Sequence, residues 1–482
     1  MPKSWIAANL EYKKAGYELL SYLATREGRL HATWLNPVDR EQKDVSTQVV
    51  DNHFPSLTRQ LPEVAWDERE IHDLFGYRPE GHPDLRPLIR TPRWPHDFYP
   101  LRTRSNIPPQ WLDVEPDNPA KTVTGDGITI MKVGPTHAGI IESGHFVFSL
   151  IGENVLYLDA HLFQNHRGVE LLLEDRTIED VRRIVSRICA GDSVSHQTNW
   201  ALAVETLARW TAEPPLALRR IILLECERVL SHLNDLAQIP AGVGFQRAHQ
   251  LALAIKEYWQ QGLKRLFGHR FLFDTVRPGE AAATTPDDLG ALVRELRRRW
   301  VPWRRLVEAH HGFNDRMAGV GIVKPQDVTR FGAQGVVARA AGKALDARSI
   351  LPLYDDMAVQ FIQESAGDVK ARFYVRVAEL EESLRLLEES ARRLRRWGSN
   401  DSSPFIEDPS DLSGRTVTFT ESPHGLNVHD ITLARGRVTR YHIRAGTYRN
   451  WPLLAHTVPG NAVADFPLIN KSFELCYSCV DR

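Results

Sequence analysis

The chain has 482 residues, of which 42% are hydrophobic and 25% charged, a composition typical of soluble globular proteins. Its formal net charge of -1 argues against nucleic acid as a main partner. It contains no apolar run of the roughly 18 residues that span a bilayer, and its N-terminus lacks the apolar core of a signal peptide. We therefore expect a cytoplasmic protein that reaches a membrane only through partner subunits.

The pattern of elements predicts the α+β class. A small α/β domain is expected over residues 1–110, and a mainly helical domain with peripheral strands over residues 111–482. A polar, proline-rich stretch from Glu63 to about Pro109 closes the first domain. In the second domain, alternating apolar residues predict strands around Ile128–Val133 and Phe146–Leu158.

Helical periodicity dominates the middle of the chain. The predicted helical segments are Thr177–Leu236, which Pro214 and Pro215 divide, Arg247–Phe267, Pro286–His311 and Phe373–Leu394. The last segment has one apolar stripe, and Gly398 is its predicted stop signal. The opposite face is predicted to be exposed to solvent, with Glu381, Glu382, Glu388 and Glu389. Strands are predicted again at Thr416–Thr420 and Arg437–Ile443.

Four cysteines are too few for a disulfide framework, and a C-x-x-C pair in a cytoplasmic protein is more often metal-binding or redox-active. Cys476 and Cys479 form such a pair, and Asp192 lies three residues after Cys189. Thiolates are soft ligands that suit zinc, iron–sulfur or nickel–iron. On spacing alone, the terminal pair also fits a structural zinc half-site or two unpaired thiols. Cys226, in an apolar helical stretch, is predicted to be an inert buried thiol.

Several stretches around these cysteines occur together in a recognisable order. They are 134–146 (GPTHAGIIESGHF), 162–170 (LFQNHRGVE), 187–196 (RICAGDSVSH), 223–232 (LLECERVLSH), 335–342 (GVVARAAG), 444–452 (RAGTYRNWP) and 476–482 (CYSCVDR). In this order they resemble the large subunits of membrane-bound nickel–iron hydrogenases of the formate hydrogenlyase type. Residues 66–76 (WDEREIHDLFG), 81–86 and 99–102 resemble a hydrophilic subunit of respiratory complex I, which that type carries as a fused N-terminal domain.

The resemblance implies a ligand set for a nickel–iron centre. Cys189 and Cys476 match the cysteines that bind nickel alone, and Cys479 matches a cysteine that bridges nickel and iron. Asp192 stands where the family has its fourth cysteine, and it would be the second bridge. A carboxylate is a harder ligand than a thiolate, so we expect weakened nickel affinity and an altered potential.

Three further residues match positions around that centre. His196 resembles a histidine that hydrogen-bonds a bridging ligand and thereby orients it. Glu142 matches the family's proton-relaying glutamate, which would act as a general acid and base. Arg339, with Asp346 and Arg348, looks like the family's internal arginine motif and is assigned to cofactor binding. A satisfied buried histidine and an ordinary hydrogen-bonded acid are the plainer interpretations of His196 and Glu142.

His424 is a second departure from the family, which has Pro-Arg-Gly where this chain has Pro423-His-Gly425. The family's arginine lies over the metals beside the substrate. Arginine is always cationic, whereas histidine titrates near neutrality, so we expect His424 to act as a proton relay without a constant charge. With Asp192, two positions of the site have changed, and this argues against ordinary hydrogen turnover.

The resemblance implies a catalytic large subunit of a formate hydrogenlyase-like hydrogenase. Electrons would pass to an iron–sulfur cluster on a small partner subunit, because this chain has too few cysteines for its own cluster beside the site. The other implied partners are the integral membrane subunits of a complex I-like assembly and a formate dehydrogenase subunit. The protein would then be peripheral on the inner face of the cell membrane.

Two alternatives remain open. The complex I subunit of shared ancestry has no metal ligands and helps to form a quinone pocket, in which a Gly-Pro-x-His histidine contacts quinone. His137 is the matching residue, and the chain would then act in quinone or redox coupling, although its three retained cysteines argue against this. The other alternative is a structural scaffold, or a site rebuilt for zinc with a Cys3Asp set, since mixed thiolate and carboxylate ligands can satisfy tetrahedral zinc.

Overall fold

The computed structural model describes residues 4–105, 108–114, 119–137, 142–343, 345–397 and 411–482. The elements up to residue 105 are α1 (Trp5–Lys14), β1 (Glu18–Ala24), β2 (Arg29–Leu35), β3 (Gln42–Gln48), β4 (His53–Pro55), α2 (Ala65–Phe75), β5 (Arg78–Glu80) and α3 (Pro100–Thr103). Strands β1, β2 and β3 form an antiparallel sheet in that order, and β4 pairs with β5 in parallel. This part is the small α/β unit that the sequence predicts.

Helix α2 has a polar sequence but a buried position, because its carboxylates meet donors inside the protein. Glu68 accepts a hydrogen bond from the Leu57 N–H at 2.6 Å and from two neighbouring hydroxyls. Asp73 accepts the backbone N–H groups of residues 88–90 at 2.7–3.1 Å. The proline-rich stretch from Glu63 to Pro109 therefore contains a helix that the sequence analysis did not predict.

The second part alternates small sheets with long helices. Its strands are β6 (Ile128–Val133), β7 (His145–Ile151), β8 (Asn154–His161), β9 (Val276–Arg277), β10 (Glu280–Ala281), β11 (Gly414–Ser422), β12 (Gly425–Ala434) and β13 (Arg437–Arg444). Its helices are α4 (Val169–Leu173), α5 (Ile178–Val185), α6 (Ser193–Leu207), α7 (Pro214–Gly242), α8 (Gln246–Phe267), α9 (Pro286–Glu308), α10 (His311–Met317), α11 (Pro325–Phe331), α12 (Gly335–Ala340), α13 (Val369–Leu394), α14 (Gly446–Thr457) and α15 (Phe466–Phe473). Single 3-10 turns lie at Pro62–Val64, Ala347–Ser349, Pro352–Tyr354 and Val463–Asp465.

The predicted helical segments are confirmed, except that Thr177–Leu236 holds three helices rather than two, because the loop that carries Cys189 separates α5 from α6. Helix α7 is the central one. It packs against α8 and α13, while α9 covers both of these helices. Pro214 is the first residue of α7, so the proline pair separates α6 from α7 as predicted. Cys226 is a buried residue of α7, in agreement with its predicted place in the core. The α+β class is therefore confirmed.

Three details differ from the predictions. The stretch Phe146–Leu158 is two antiparallel strands, β7 and β8, because the chain turns at Gly152. Glu382 of α13 is not exposed to solvent: it is 3% exposed and pairs with Arg385 at 2.6 Å. The stop signal assigned to Gly398 lies outside the described residues, and α13 ends at Leu394.

Buried contacts join the two parts of the chain. Arg444, at the end of β13, pairs with Asp67 of α2 at 3.0 Å, and Arg449 of α14 donates to the Leu19 carbonyl at 2.7 Å. One hydrophobic cluster includes residues of both parts. Within the described ranges, no helix combines the length and the apolar character that a bilayer crossing demands.

Candidate metal centre

Two loops from distant parts of the sequence bring three thiols together. Cys189 lies in the loop between α5 and α6, whereas Cys476 and Cys479 follow α15. Their Sγ atoms all lie within 4.8 Å of one another, and those of Cys189 and Cys476 are 3.0 Å apart. Cys189 and Cys479 are buried, and Cys476 is partly exposed.

Backbone hydrogen bonds shape both cysteine loops. In the terminal loop the Asp481 N–H donates to the Tyr477 carbonyl at 2.8 Å, which closes a tight turn that contains Cys479 and directly follows Cys476. In the other loop the Gly191 N–H donates to Cys189 Sγ at 3.2 Å. The hydrogen bond between the two nearest thiols lowers the pKa of Cys476 and raises that of Cys189. Cys476 is therefore the thiol that ionises more readily.

Asp192 lies beside the thiols, and His424 holds its carboxylate. The Nδ1 atom of His424 lies 2.9 and 3.1 Å from the two Asp192 oxygens, and Cys479 Sγ lies 3.4 Å from one of them. Burial alone would raise the pKa of Asp192 and lower that of His424. The opposite charge and hydrogen bond of the partner outweigh burial, lowering the pKa of Asp192 and raising that of His424 to about 10.

The expectation that His424 titrates near neutrality is therefore wrong. With its raised pKa, the imidazole stays cationic at neutral pH because the Asp192 carboxylate stabilises the charged form. Both side chains are largely shielded from solvent, with 7% of the His424 side chain and 2% of the Asp192 side chain exposed. His424 thus supplies the constant positive charge that the sequence analysis attributed only to an arginine.

A tight hairpin places His424 over the site. Ser422 of β11 pairs with Gly425 of β12, which leaves only Pro423 and His424 in the turn. The start of α12 packs against this turn so closely that a Cβ atom added at Gly335 would lie 2.6 Å from the His424 carbonyl oxygen. Gly335 also has a φ of +64°, in the region that glycine favours. Glycine is therefore required at this contact.

A residue of α7, rather than Asp192, caps the first turn of α6. Asp192 precedes the helix, but its side chain makes no capping bond. The Glu227 carboxylate accepts the N–H groups of Val194 and Ser195, the latter at 3.1 Å. Burial and then the negative charge of Asp192 raise the pKa of Glu227 well above its usual range. Because Glu227 satisfies these N–H groups, the Asp192 carboxylate is free to face the thiols.

His196, on α6, connects the site to a buried polar chain. Its Nε2 atom lies 3.8 Å from Cys479 Sγ, and its Nδ1 atom lies 2.9 Å from Nε2 of His429. The other nitrogen of His429 lies 2.7 Å from the Tyr441 hydroxyl. Burial lowers the pKa of His196 to about 4, so this imidazole is neutral at neutral pH. A fixed, neutral ring of this kind is suited to orienting the Cys479 sulfur.

Glu142 and His137 lie ahead of β7, at different distances from the thiols. The exposed Glu142 carboxylate accepts the Ser478 N–H at 2.9 Å and also the hydroxyl of that residue, so it contacts the turn that carries the terminal cysteine pair. The Nε2 atom of His137 lies 2.7 Å from the Gly144 carbonyl oxygen. Among the contacts described for His137, none reaches a thiol.

Arg339 lies in a separate buried charge cluster. Its guanidinium donates to Glu379 of α13 at 2.6 Å and to Glu421 of β11 at 2.7 Å. Glu379 in turn lies 2.9 Å from Nε2 of His232 on α7. The structure thus groups the predicted ligands with His196, His424 and Glu142 and leaves Arg339 elsewhere, so a cofactor-binding role for Arg339 and His137 stays a prediction.

Sequence reasoning missed the residues that hold the cysteine loops. Arg167 donates to the carbonyl oxygens of Ile188 and Ser478, each at 2.7 Å. Arg167 and Glu227 lie within recognisable sequence stretches, but those stretches give no sign of what either side chain contacts.

The donor set fits a transition-metal ion. Three thiolates are soft ligands, and the Asp192 carboxylate is close enough to Cys479 to complete a mixed set. The site differs from a set of four thiolates because Asp192 supplies an oxygen donor, which forms an ion pair with His424.

Among the described residues, one other group has metal-ligand spacing, namely Glu70, Glu170 and His442. Arginines already neutralise that second group, through Arg482–Glu70 at 3.0 Å and Arg440–Glu170 at 2.9 Å.

Family models match two regions of the chain. The model of the 49 kDa subunit of respiratory-chain NADH dehydrogenase matches residues 243–410, and the model of its 30 kDa subunit matches residues 6–110. A chain of the membrane-bound sulfane sulfur reductase, an archaeal respiratory membrane complex, has the same fold. Its TM-score is 0.68 at 23% sequence identity, over 74% of this chain and 99% of that chain.

Relatives from Escherichia coli (strain K12) are more similar in sequence. Formate hydrogenlyase subunit 5 is 30% identical over 441 residues, which are 89% of this chain and 77% of the relative. Hydrogenase-4 component G is 30% identical over 444 residues, which are 89% of this chain and 76% of the relative. The fold and these relatives define an oxidoreductase subunit of a membrane complex. The chain belongs to the family of membrane-bound hydrogenase large subunits of the formate hydrogenlyase type, with a fused N-terminal domain of the complex I type.

Proposed function

We propose that this chain is the catalytic large subunit of a membrane-associated, formate hydrogenlyase-like hydrogenase complex. Hydrogen and protons would interconvert at a nickel–iron centre, and electrons would pass to an iron–sulfur cluster on a small partner subunit. The observation that supports this most is the meeting of three thiols within 4.8 Å, from loops 287 residues apart. Clusters of soft donors bind transition metals.

Each residue of the site has a part in this proposal. Cys189, Cys476, Cys479 and Asp192 would hold the nickel–iron centre, which would supply reversible exchange of electrons with hydrogen. Glu142, exposed and bonded to the terminal turn, would exchange protons with solvent.

The two histidines support the same site from opposite sides. His196 would fix the Cys479 thiolate through its neutral ring, which His429 orients from the other nitrogen. His424 would neutralise the Asp192 carboxylate and keep a positive charge at the thiols. Because the side chains of His424 and Asp192 are largely shielded from solvent, their electrostatic effect on the thiolates is screened little.

The names of the relatives, a subunit and a component, support an assembly of several chains. We propose residues 1–110 and 111–482 as the two domains, with an iron–sulfur small subunit, integral membrane subunits of a complex I-like assembly and a formate dehydrogenase subunit as partners. The chain would lie in the cytoplasm, on the inner face of the cell membrane.

Metal analysis of the complex purified from its natural host tests the proposal. Nickel and iron, with infrared bands of iron-bound carbon monoxide and cyanide, are expected in the unaltered protein. Cys476→Ser should abolish nickel, whereas Cys226→Ala, which removes a buried thiol outside the cluster, should leave nickel unchanged. Nickel that survives Cys476→Ser, or zinc alone, would contradict the proposal.

A second candidate is a complex I-like subunit that acts in quinone or redox coupling without nickel–iron. One observation favours it: His424 engages both oxygens of Asp192, so the fourth ligand position is satisfied within the protein. In that case the purified complex would contain no nickel. His137→Ala would abolish quinone-dependent electron transfer, and Cys476→Ser would leave it intact.

A further inference from the structure

We propose that Arg167 sets the spacing between the two cysteine loops and thereby the metal affinity of the three-thiol site. This inference rests on the proposed function only in treating the thiols as metal ligands. Arg167 contacts no thiol directly, so it would act as a positioning residue.

Arg167 contacts both loops at once. Its Nη2 atom donates to the carbonyl oxygens of Ile188 and Ser478, each at 2.7 Å. One nitrogen thus links the residue before Cys189 to the residue before Cys479. Its Nη1 atom donates to the Arg187 carbonyl at 3.3 Å. Its backbone N–H donates to the Asp481 carbonyl at 2.7 Å. The side chain and the main chain of Arg167 together connect the two cysteine loops through hydrogen bonds.

The backbone at Arg167 is held by a rigid neighbour. Helix α4 begins two residues later, and its Glu170 carboxylate accepts the Ile443 N–H at 3.0 Å and pairs with Arg440 at 2.9 Å. Among the described residues, no carboxylate lies within salt-bridge distance of the Arg167 guanidinium, so its donors are committed to the loop carbonyls. The backbone of Arg167 is thus held next to α4, and its guanidinium is hydrogen-bonded to the loop carbonyls.

Two carboxylates near the site each hold one loop only. Glu142 bonds the terminal turn through Ser478, and Glu227 bonds the start of α6. A planar guanidinium presents its donors in a fixed fork, whereas an ammonium is a point charge on a flexible stem. Loss of Arg167 should therefore let the loops separate while each keeps its own shape.

Cobalt(II) titration of the full chain tests this inference, because thiolate-to-cobalt charge-transfer absorption reports the number and geometry of bound sulfurs. Arg167→Gln should weaken cobalt binding about tenfold, the change that about 1.4 kcal/mol produces, and reduce the charge-transfer intensity. Arg167→Lys should recover part of the affinity. The control is Arg104→Gln, which removes an exposed arginine paired with Asp175 at 3.2 Å and should change nothing.

A metal-free measurement separates this inference from the proposed function. Diamide oxidises the Cys189 and Cys476 thiols to a disulfide, accepting the two electrons and two protons that they lose, and the Sγ separation of 3.0 Å favours this pair. Arg167→Gln should slow this disulfide about tenfold at unchanged far-UV circular dichroism. If Arg167→Gln slows disulfide formation but the wild-type chain binds no cobalt, the result would contradict the metal site and still support the spacing role of Arg167. Equal disulfide rates in wild type, Arg167→Gln and Arg167→Lys would overturn the inference.

Discussion

Asp192 and His424 depart from the family pattern at two separate points of the sequence, yet their side chains meet. A carboxylate in place of a thiolate brings a buried negative charge to a site that also holds ionisable thiols. An imidazole at hydrogen-bond distance becomes cationic and neutralises it. Neither residue would be stable in its charged form without the other, because an unpaired buried charge is costly. The two departures therefore act as one change.

Removing one member of this pair should destabilise the protein strongly. Asp192→Ala leaves the His424 cation buried without its partner, at a cost of about 3–5 kcal/mol in the free energy of unfolding. The double variant Asp192→Leu/His424→Leu removes both charges and should recover most of that loss. Chemical denaturation of the three proteins measures the effect, and equal stabilities for the single and double variants would contradict the pairing.

The same pair predicts a pH dependence. The pKa of His424 is raised from 6.5 to about 10 on folding, so its contribution is complete below pH 6.5 and is lost as pH rises toward 10. The pKa of Asp192 is lowered from 3.8, so its contribution is lost only in acid. The advantage of the wild type over His424→Gln in unfolding free energy should therefore be largest near pH 6 and shrink steadily up to pH 10. An advantage that does not change with pH would refute the assignment.

Helix α6 illustrates how one element positions the site. Its first N–H groups are satisfied from α7 by Glu227, so the residue before the helix is left to face the thiols. Glu227→Leu should leave two buried N–H groups without partners and cost about 1–3 kcal/mol for each. Glu227→Gln keeps one oxygen acceptor and should cost less. Urea denaturation compares them, with the exposed Glu179→Gln as a neutral control; equal stability of Glu227→Leu and wild type would refute the capping role.

The sequence predicts elements whose apolar and polar faces are distinct, and it fails where polar residues are buried on both faces. Helix α13 has one apolar stripe and is predicted almost to its ends. Strand β12 is not predicted, because Asn427, His429 and Asp430 are all buried. Its sequence therefore lacks the alternation of apolar and polar residues that marks a half-exposed strand. Helix α2 is not predicted for the same reason, since its polar residues are also buried. Their polar groups meet partners far away in sequence, which no local pattern reveals.

The features of the candidate site also fall into those that local sequence patterns identify and those that depend on folding. Spacing and family resemblance identify the cysteines, because each lies in a local motif, and the resemblance also implies that they meet. The ion pair of Asp192 with His424 and the contacts of Arg167 and Glu227 depend on how distant loops fold together. The raised pKa of His424 follows from that folding, and so the expected neutral titration was wrong.

At the scale of the whole molecule, the N-terminal unit reaches the terminal cysteine segment. Arg482 is buried, three residues after Cys479, and pairs with Glu70 of α2 at 3.0 Å as well as with Glu170 of α4. Asp67 of the same α2 helix pairs with Arg444. The fused domain therefore helps to hold the loop that carries two of the three thiols.

Weakening this link should loosen the terminal loop. Glu70→Gln removes one of the two carboxylates that hold Arg482, so the partly exposed Cys476 should react several-fold faster with iodoacetamide. Glu80→Gln, at an exposed position of β5, is the matched control and should leave the rate unchanged. Mass spectrometry of alkylated peptides measures the alkylation rate of Cys476 in both variants. An unchanged rate in Glu70→Gln would mean that the N-terminal unit does not restrain the terminal loop.

The most direct measurement is X-ray absorption fine structure at the nickel edge of the complex purified from its host. Binding by Cys189, Cys476 and Cys479 predicts about three sulfur neighbours at about 2.3 Å, the usual length of a metal–thiolate bond. One shorter oxygen distance should come from Asp192. Cys479→Ser should lower the sulfur count by one, and Cys226→Ala should leave it unchanged. A nickel spectrum without sulfur neighbours, or one that Cys479→Ser does not alter, would contradict the shared site.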